Sequence, residues 1–403
     1  MKILIANKFF FRNGGSEAVM FQERDYLMEM GHEVIDFAMH DERNLPSPYT
    51  RYFVGSQDYH GNIGKLGKIK SAVRLINSFE AARSISKLIE DTQPDILHCH
   101  NIYHQLTPSI IGVAKKFGLP VVLTLHDYKL VCPTYSRLRD EQPCSDCQGG
   151  DFFNVVINRC ADKSLGKSAL LYAEAATQKW LGNYDKVDTF IAPSRFMKES
   201  IAHRIPADRI RHIYNGVNID KTTNNRKDEG YVLYLGRLSR EKGVETLLKA
   251  HTNSTIDWPL EIAGTGPLES ELKSKYENAT FRGHLNGKKL QEIIDKAAVI
   301  VVPSEWYENC PMSVIEAMAH GKPVVGSRIG GIPELIEHEK TGLLFESGHV
   351  EELTFALEKL MSSAELRKEM GRAALDRVEA EFSIDSHNTK LINIYQSQLG
   401  KQG

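Results

Sequence analysis

The feature that most constrains this chain is an alternation of short β-branched runs with amphipathic segments, which stops midway and then starts again. Residues 2–6, 33–38, 95–99, 121–125 and 188–192 read as buried strands, with a shorter one at 210–214. Between them, Glu17 to Met30 and Ala72 to Asp91 carry apolar residues at helical spacing. The pattern resumes with strands at 231–236, 260–263, 298–302 and 323–326, and with helices at 243–250, 268–276, 290–296, 314–319 and 350–361. Strands apolar on both faces, separated by helices, belong in parallel sheets covered on both sides. Two such series predict two doubly wound, Rossmann-like α/β domains. Asp220 to Gly230 has no apolar residue and is the expected linker, with the boundary at 216–229. The expected divisions are therefore 1–216, 217–380 and a closing segment 381–403. A length of 403 residues also suits two domains.

In doubly wound sheets, ligands bind outside the carboxyl ends of the strands, so residues just past strands are the candidates. Glu308 and Glu316 sit eight residues apart: Glu308 on the loop after strand 298–302, Glu316 about two turns into the next helix. Free amides at that helix start suit a phosphate, and carboxylates suit sugar hydroxyls. A nucleotide-sugar site accommodates both. Arg237 and Lys242 follow strand 231–236. Cations are disfavoured at a helix start, so this pair hints at a diphosphate; a solvated helix start is the plain alternative. Gly14 and Gly15 after the first strand either let a ligand approach the backbone or form a turn capped by Ser16. Gly264, His284 and Leu285 lie at further strand exits and could face a base or ribose, or be ordinary turns.

His126 and Asp127 end strand 121–125, where side chains face a cleft between domains or serve the fold. His98, Cys99, His100 and His104 crowd the preceding strand end, but no partner spacing supports a metal, and they read as structural. Cys132, Cys144, Cys147 and Cys160 form C-x11-C-x2-C-x12-C in a polar segment at about 130–165, a spacing for one structural zinc or for four ordinary thiols. Gly61 to Lys87 mixes basic and apolar residues, which fits either an anionic membrane surface or a core helix with a basic outer face.

The net charge of −2 gives no field for nucleic acid. No apolar run reaches 18 residues, and the N-terminus lacks a signal-peptide pattern. The expected location is the cytoplasm, with the inner face of the plasma membrane open to it. There is no G-x-G-x-x-G after a strand and no Walker motif.

Taken together, Gly14-Gly15, His126-Asp127, Arg237, Lys242, Glu308 with Glu316, and Gly330-Gly331-Ile332-Pro333-Glu334 resemble glycosyltransferase family 4, retaining enzymes of the GT-B fold. Glu381 to Gln396 is similar to the family's terminal helix that returns to the first domain, and the four-cysteine insert resembles one in a subset of bacterial members. The resemblance implies a hexosyltransferase-like enzyme that moves sugar from a UDP- or GDP-sugar to a saccharide or lipid-linked acceptor in polysaccharide or lipopolysaccharide synthesis. It implies that Arg237 and Lys242 neutralise the diphosphate, so that catalysis needs no metal. Glu316 would hold the ribose and Glu308 the donor sugar. Pro311, Met312 and Ser313 would reach the diphosphate or sugar, Gly15 the phosphate, and His126 the donor sugar and acceptor, with Asp127 on the acceptor side. One departure is Asn309-Cys310-Pro311, where many members carry Phe-Gly and where Pro311 lacks an N–H. A nucleotide-sugar epimerase and a non-catalytic sugar-nucleotide binder are the rival readings.

Overall fold

The computed structural model describes residues 1–55, 65–219 and 228–401, with 65–70 as backbone. The first sheet holds β1 (Lys2–Ala6), β2 (Glu33–Phe37), β3 (Ile96–Cys99), β4 (Val121–Thr124), β5 (Thr189–Ala192) and β6 (Ile210–His212), in the order β2-β1-β3-β4-β5-β6. The second holds β7 (Val232–Leu235), β8 (Leu260–Ala263), β9 (Thr280–Gly283), β10 (Val299–Val302), β11 (Val324–Ser327) and β12 (Gly342–Phe345), in the order β9-β8-β7-β10-β11-β12. Every neighbouring pair in both sheets is parallel.

The inner strands are mostly apolar because each face meets a helical layer, while the edge strands β6 and β9 are partly exposed and carry Arg211 and Arg282. Leu4 and Ala6 enter one core of the first domain, whereas Ile3 and Ile5 enter another. In the second domain, Leu233 points into one core and Val232 and Tyr234 into the opposite one.

The helical stretch expected at 72–91 is two helices, Lys65–Ile76 and Phe79–Thr92. Ser78 ends the continuity: its Oγ accepts the Ala81 amide at 3.2 Å and caps the second helix. Ala81 and Ile85, with Leu88 and Ile89 just beyond, face the core, whereas Phe79 is 71% exposed, so the 79–87 part of the basic stretch is only partly turned to the core. Residues 61–64 of that stretch, and most of the polar 220–230 segment, lie outside the described residues. No helix among the described residues is long and apolar enough to cross a membrane.

The chain crosses between sheets near Val217 and again near Phe382, and the two crossings bond to each other. The Val217 amide donates to the Phe382 carbonyl at 2.9 Å, and the Ile384 amide to the Val217 carbonyl at 3.0 Å. The final helix, Ile384–Leu399, then lies on the first domain. Leu391 and Tyr395 complete the core that contains Ile3 and Ile5. Gln398 Nε2 donates to Thr189 Oγ1 at 2.8 Å. The cysteine-bearing insert lies between β4 and β5. It contains a hairpin of two-residue strands (Leu138–Arg139, Gln142–Pro143), a single helical turn (Asn154–Ile157) and the helix Leu165–Leu181.

Candidate active site

Both sheets reverse their strand order at one point, between β1 and β3 in the first and between β7 and β10 in the second. Loops diverge there and leave a crevice. The two crevices form one cleft of about 1250 Å³, which Gly14, Gly15, His126, Asp127, Arg237, Lys242, Gly264, His284, Leu285, Glu308, Pro311, Met312, Ser313 and Glu316 all line. The fold thus gathers every candidate except the cysteines, which line a separate small cavity.

Glu308 and Lys242 meet because β7 and β10 are neighbours. Lys242 ends a short 3₁₀ turn, Arg240–Lys242, followed by Gly243 at φ 65°. A Cβ at Gly243 would run into the Pro303 carbonyl, so only glycine lets this turn press against the exit of β10. Lys242 Nζ then lies 2.6 Å from Glu308 Oε1, which also accepts Ser304 Oγ at 2.7 Å. Burial alone would raise the Glu308 pKa, but Lys242 and Ser304 reverse the sign and hold it below the usual carboxylate value. The Lys242 ammonium also sits 4.8 Å from the Trp306 ring centroid. The Trp306 side chain adds a further hydrogen bond that favours the Glu308 carboxylate.

Arg237 is exposed in the cleft, and its guanidinium makes no hydrogen bond or ion pair among the described residues. Glu316 is the fifth residue of the helix Met312–Ala319, so it stands about one turn in rather than two. Burial raises its pKa. Pro311 is the N-cap of this helix and no side chain caps it. The missing N–H of proline therefore falls outside the helical turn, and the Met312 and Ser313 amides remain as donors. Gly14 is the N-cap of the helix Gly15–Glu29; Ser16 lies inside that helix and does not cap it. Two uncapped helix starts, Gly15 and Met312, thus open into one cleft. His284 is exposed and Leu285 half-buried on its far wall.

His126 stands at the end of a buried polar chain. His126 Nε2 is 2.8 Å from His100 Nδ1, and the rings stack with centroids 5.1 Å apart. His98 and His100 project from the same face of β3 toward Glu23 of the first helix, whose Oε2 is 3.6 Å from His98 Nδ1 and 3.4 Å from His100 Nε2. His98 also contacts Thr124 Oγ1 at 2.8 Å and the Tyr395 hydroxyl at 2.7 Å. His387 of the final helix reaches Glu23 Oε1 at 2.9 Å and the Tyr214 carbonyl at 2.7 Å. Both of its partners are acceptors, so both its nitrogens carry protons, and Glu23 holds its pKa above the usual value against burial. The Glu23 charge favours a proton on His100 Nε2. His126 then donates from Nε2 and keeps Nδ1 as an acceptor. Asp127 accepts the Tyr103 hydroxyl and, at 3.0 Å, the Lys129 amide.

These histidines set an acid limit on the fold. Burial pushes His98 and His126 down to about 4, and His100 well below its usual value. The unfolded chain takes up these protons below about 6.5, whereas the folded chain resists until near 4, so stability falls with pH across that window. The slope is about 1.4 kcal/mol per pH unit for each histidine. His387 has the opposite sign: its contribution is complete below about 6.5 and is lost as pH rises through its folded value. Thermal melts are expected to show Tm dropping steeply below about pH 6.5. A flat Tm between about pH 7 and pH 5 would contradict this assignment.

The Asn309-Cys310-Pro311 turn spans the two domains. Asn309 Nδ2 donates to the Leu125 carbonyl at 2.8 Å, and its Oδ1 accepts Ser194 Oγ at 2.8 Å. Asn215 Nδ2 donates to the Cys310 carbonyl at 3.2 Å. Glu334 caps the helix Arg195–Ile201 from the other domain, accepting the Arg195 and Phe196 amides at 2.7 Å each. Asn309→Ala removes two bonds across the cleft. It is expected to lower kcat/KM about tenfold, or roughly one net hydrogen bond, and to enlarge the radius of gyration in solution scattering. Unchanged kinetics and an unchanged radius would show that the contact does not govern closure.

Glu23, Ser304, Trp306 and the role of Asn309 are not legible in the sequence. Ser304 alone left a signal, as a polar residue at a strand exit. The others act through partners far away in the chain.

The comparisons agree with this geometry. Residues 13–221 match the profile of Glycosyltransferase Family 4, and residues 217–377 that of glycosyl transferases group 1. Sulfoquinovosyl transferase SQD2 of Arabidopsis thaliana is 28% identical over 91% of this chain and 68% of its own length. An uncharacterised 42.6 kDa protein of the cps region of Klebsiella pneumoniae is 25% identical over 83% of this chain and 87% of its own. Anabaena HepE, solved with UDP-glucose, superimposes with a TM-score of 0.68 at 17% identity, over 98% of this chain and 100% of its own. With both profiles matched in order on two facing doubly wound domains, this chain belongs to glycosyltransferase family 4 and has the GT-B fold.

Proposed function

We propose that this glycosyltransferase takes a UDP- or GDP-sugar against its second domain and passes the sugar, with retention, to a saccharide or lipid-linked saccharide held against its first, in surface polysaccharide synthesis. A lipid-linked acceptor would bring the chain to the inner face of the membrane. The observation that carries the reading is Lys242 paired with Glu308 at 2.6 Å beside the free guanidinium of Arg237. Cations there meet the charge that develops on a departing diphosphate. The UDP-glucose complex of HepE supports the donor class, and the cps-region relative supports the polysaccharide setting.

In this scheme Arg237 and Lys242 clamp the diphosphate, and the Met312 and Ser313 amides, with those of Gly14 and Gly15, complete its cradle. Glu316 accepts the ribose hydroxyls, and Gly264, His284 and Leu285 border the base. Glu308, ionised by its lysine, accepts hydroxyls of the donor sugar near the reacting carbon. The bond from the anomeric carbon to the diphosphate oxygen breaks, and the acceptor oxygen attacks from the same face. The acceptor proton passes to the leaving phosphate oxygen, so no separate base is required. His126 Nδ1 accepts a sugar hydroxyl, and Asp127 borders the acceptor side.

Incubation with UDP- and GDP-sugars and saccharide acceptors, followed by proton NMR of the product, tests this. A glycoside with the donor's anomeric configuration is expected. An inverted product, or an isomerised sugar nucleotide made without acceptor as an epimerase would make it, would overturn the proposal.

A further inference from the structure

The insert between β4 and β5 has more irregular backbone than its packing explains. Of the non-glycine residues in the left-handed region, seven lie within it: Tyr135, Arg137, Asp140, Glu141, Arg159, Asp162 and Lys163. Such conformations persist only when the surroundings over-determine them. Yet the insert's own apolar core is Cys147, Phe152 and Ala175 with Tyr172 beside them, and its hairpin strands are two residues each. A segment this thin needs another brace.

Cys132, Cys144, Cys147 and Cys160 line one cavity of about 20 Å³, roughly the room for one water-sized occupant. All four are free thiols. The Asp146 amide donates to the Cys144 sulfur, and Thr134 Oγ1 lies 3.2 Å from Cys132 Sγ, so hydrogen bonds already orient two of the ligands. Four thiolates with a Cys-x2-Cys turn are the donor set of a closed, tetrahedral zinc site.

Another cluster competes for this assignment. Glu23, His98 and His100 offer ligand atoms within 4.8 Å of one another, tighter than the thiols. Both nitrogens of His98 are engaged by Tyr395 and Thr124, however, which leaves Glu23 Oε2 and His100 Nε2, facing each other at 3.4 Å, as too few ligand atoms for a closed site. The contacts of the thiols, to Thr134 Oγ1 and the Asp146 amide, are ones that a metal-bound thiolate keeps.

We propose that Cys132, Cys144, Cys147 and Cys160 bind one zinc ion as a closed structural site, and that the ion fixes the loop that presents Tyr135 to the catalytic cleft and buries Arg137 behind its wall. Tyr135 lines that cleft and stacks on Tyr103 at 5.7 Å. Arg137 is buried, donates to Ser200 Oγ at 2.8 Å and lies 4.4 Å from the ring centroid of Tyr307, next to Glu308. The ion therefore acts from outside the cleft, as a brace for one of its walls.

Metal analysis of the full chain, purified under reducing conditions, is expected to show about one zinc per chain. Cobalt replacement is expected to give thiolate charge-transfer absorption and tetrahedral d–d bands. Cys147→Ser is expected to lose the metal. Should that variant fail to fold, titration of the native protein with a mercurial is expected to release one zinc as four thiols react. A zinc-free native protein whose four thiols react freely would overturn the proposal. So would disulfides among these residues, or an iron–sulfur chromophore in place of zinc.

Discussion

Lys242→Ala is expected to lower kcat/KM about a thousandfold or more, the scale of removing one charge-stabilising donor from a transfer site. Two effects act together. On the proposed reading the leaving diphosphate loses one of its two fixed cations, and Glu308 is left buried without its counter-charge. Burial then acts on Glu308 with only the Ser304 and Trp306 side chains to oppose it, so its pKa should rise and the carboxylate should protonate in a range where it now stays ionised. Breaking a buried ion pair also destabilises the fold. The Lys242 side chain is 26% exposed, so the cost should be roughly 1–3 kcal/mol, below that of a wholly buried pair. Lys242→Ala and Glu308→Gln together should cost less than the sum of the two changes, because each disables the same pair. Strict additivity would show that the two residues act independently.

Gly331→Ala is expected to cost about a hundredfold in kcat/KM although residue 331 carries no chemistry. The Gly331 amide donates to the Glu308 carbonyl at 2.7 Å, and a Cβ there would overlap the Asn309 carbonyl. Gly330, at φ 58°, also leaves no room for a Cβ against the Glu308 backbone. A methyl group must push the 308–310 segment away, moving Glu308 off Lys242 and Asn309 off Leu125. Displacement of reacting groups by about 1 Å is enough for such a loss, and overpacking of this kind costs roughly 1–3 kcal/mol in stability. Activity within a fewfold of wild type would mean that the loop tolerates the shift and that its position is not what the glycines protect.

Much of the fold is legible from residues alone because its signals are local. Val299 to Val302 is apolar and β-branched on every residue, which favours a doubly covered strand, and the alternation of such runs with helices leaves little choice of class. The break at Ser78 is hidden because apolar residues continue past it in helical step, and only the cap reveals it. The site is legible in its parts and not in its joints. Arg237, Lys242, Glu308 and Glu316 stand at strand exits in the sequence. That Lys242 touches Glu308 follows from β7 lying beside β10, which no local pattern encodes. The cluster of His98 and His100 looks partnerless for the same reason: Glu23 and Tyr395 reach it from distant helices. Asn309 replaces a residue expected from the family pattern, and its use emerges only when both domains are seen facing each other.

The most direct measurement is nucleoside diphosphate release from UDP- and GDP-sugars with acceptor present, followed by phosphorus NMR for wild type, Lys242→Ala and Glu308→Gln. The wild type should release diphosphate from one nucleotide class, and both variants should lose that release while retaining folded melting transitions. Equal release by all three proteins, or none by the wild type with any donor, would contradict the central claim that the Lys242–Glu308 pair drives sugar transfer.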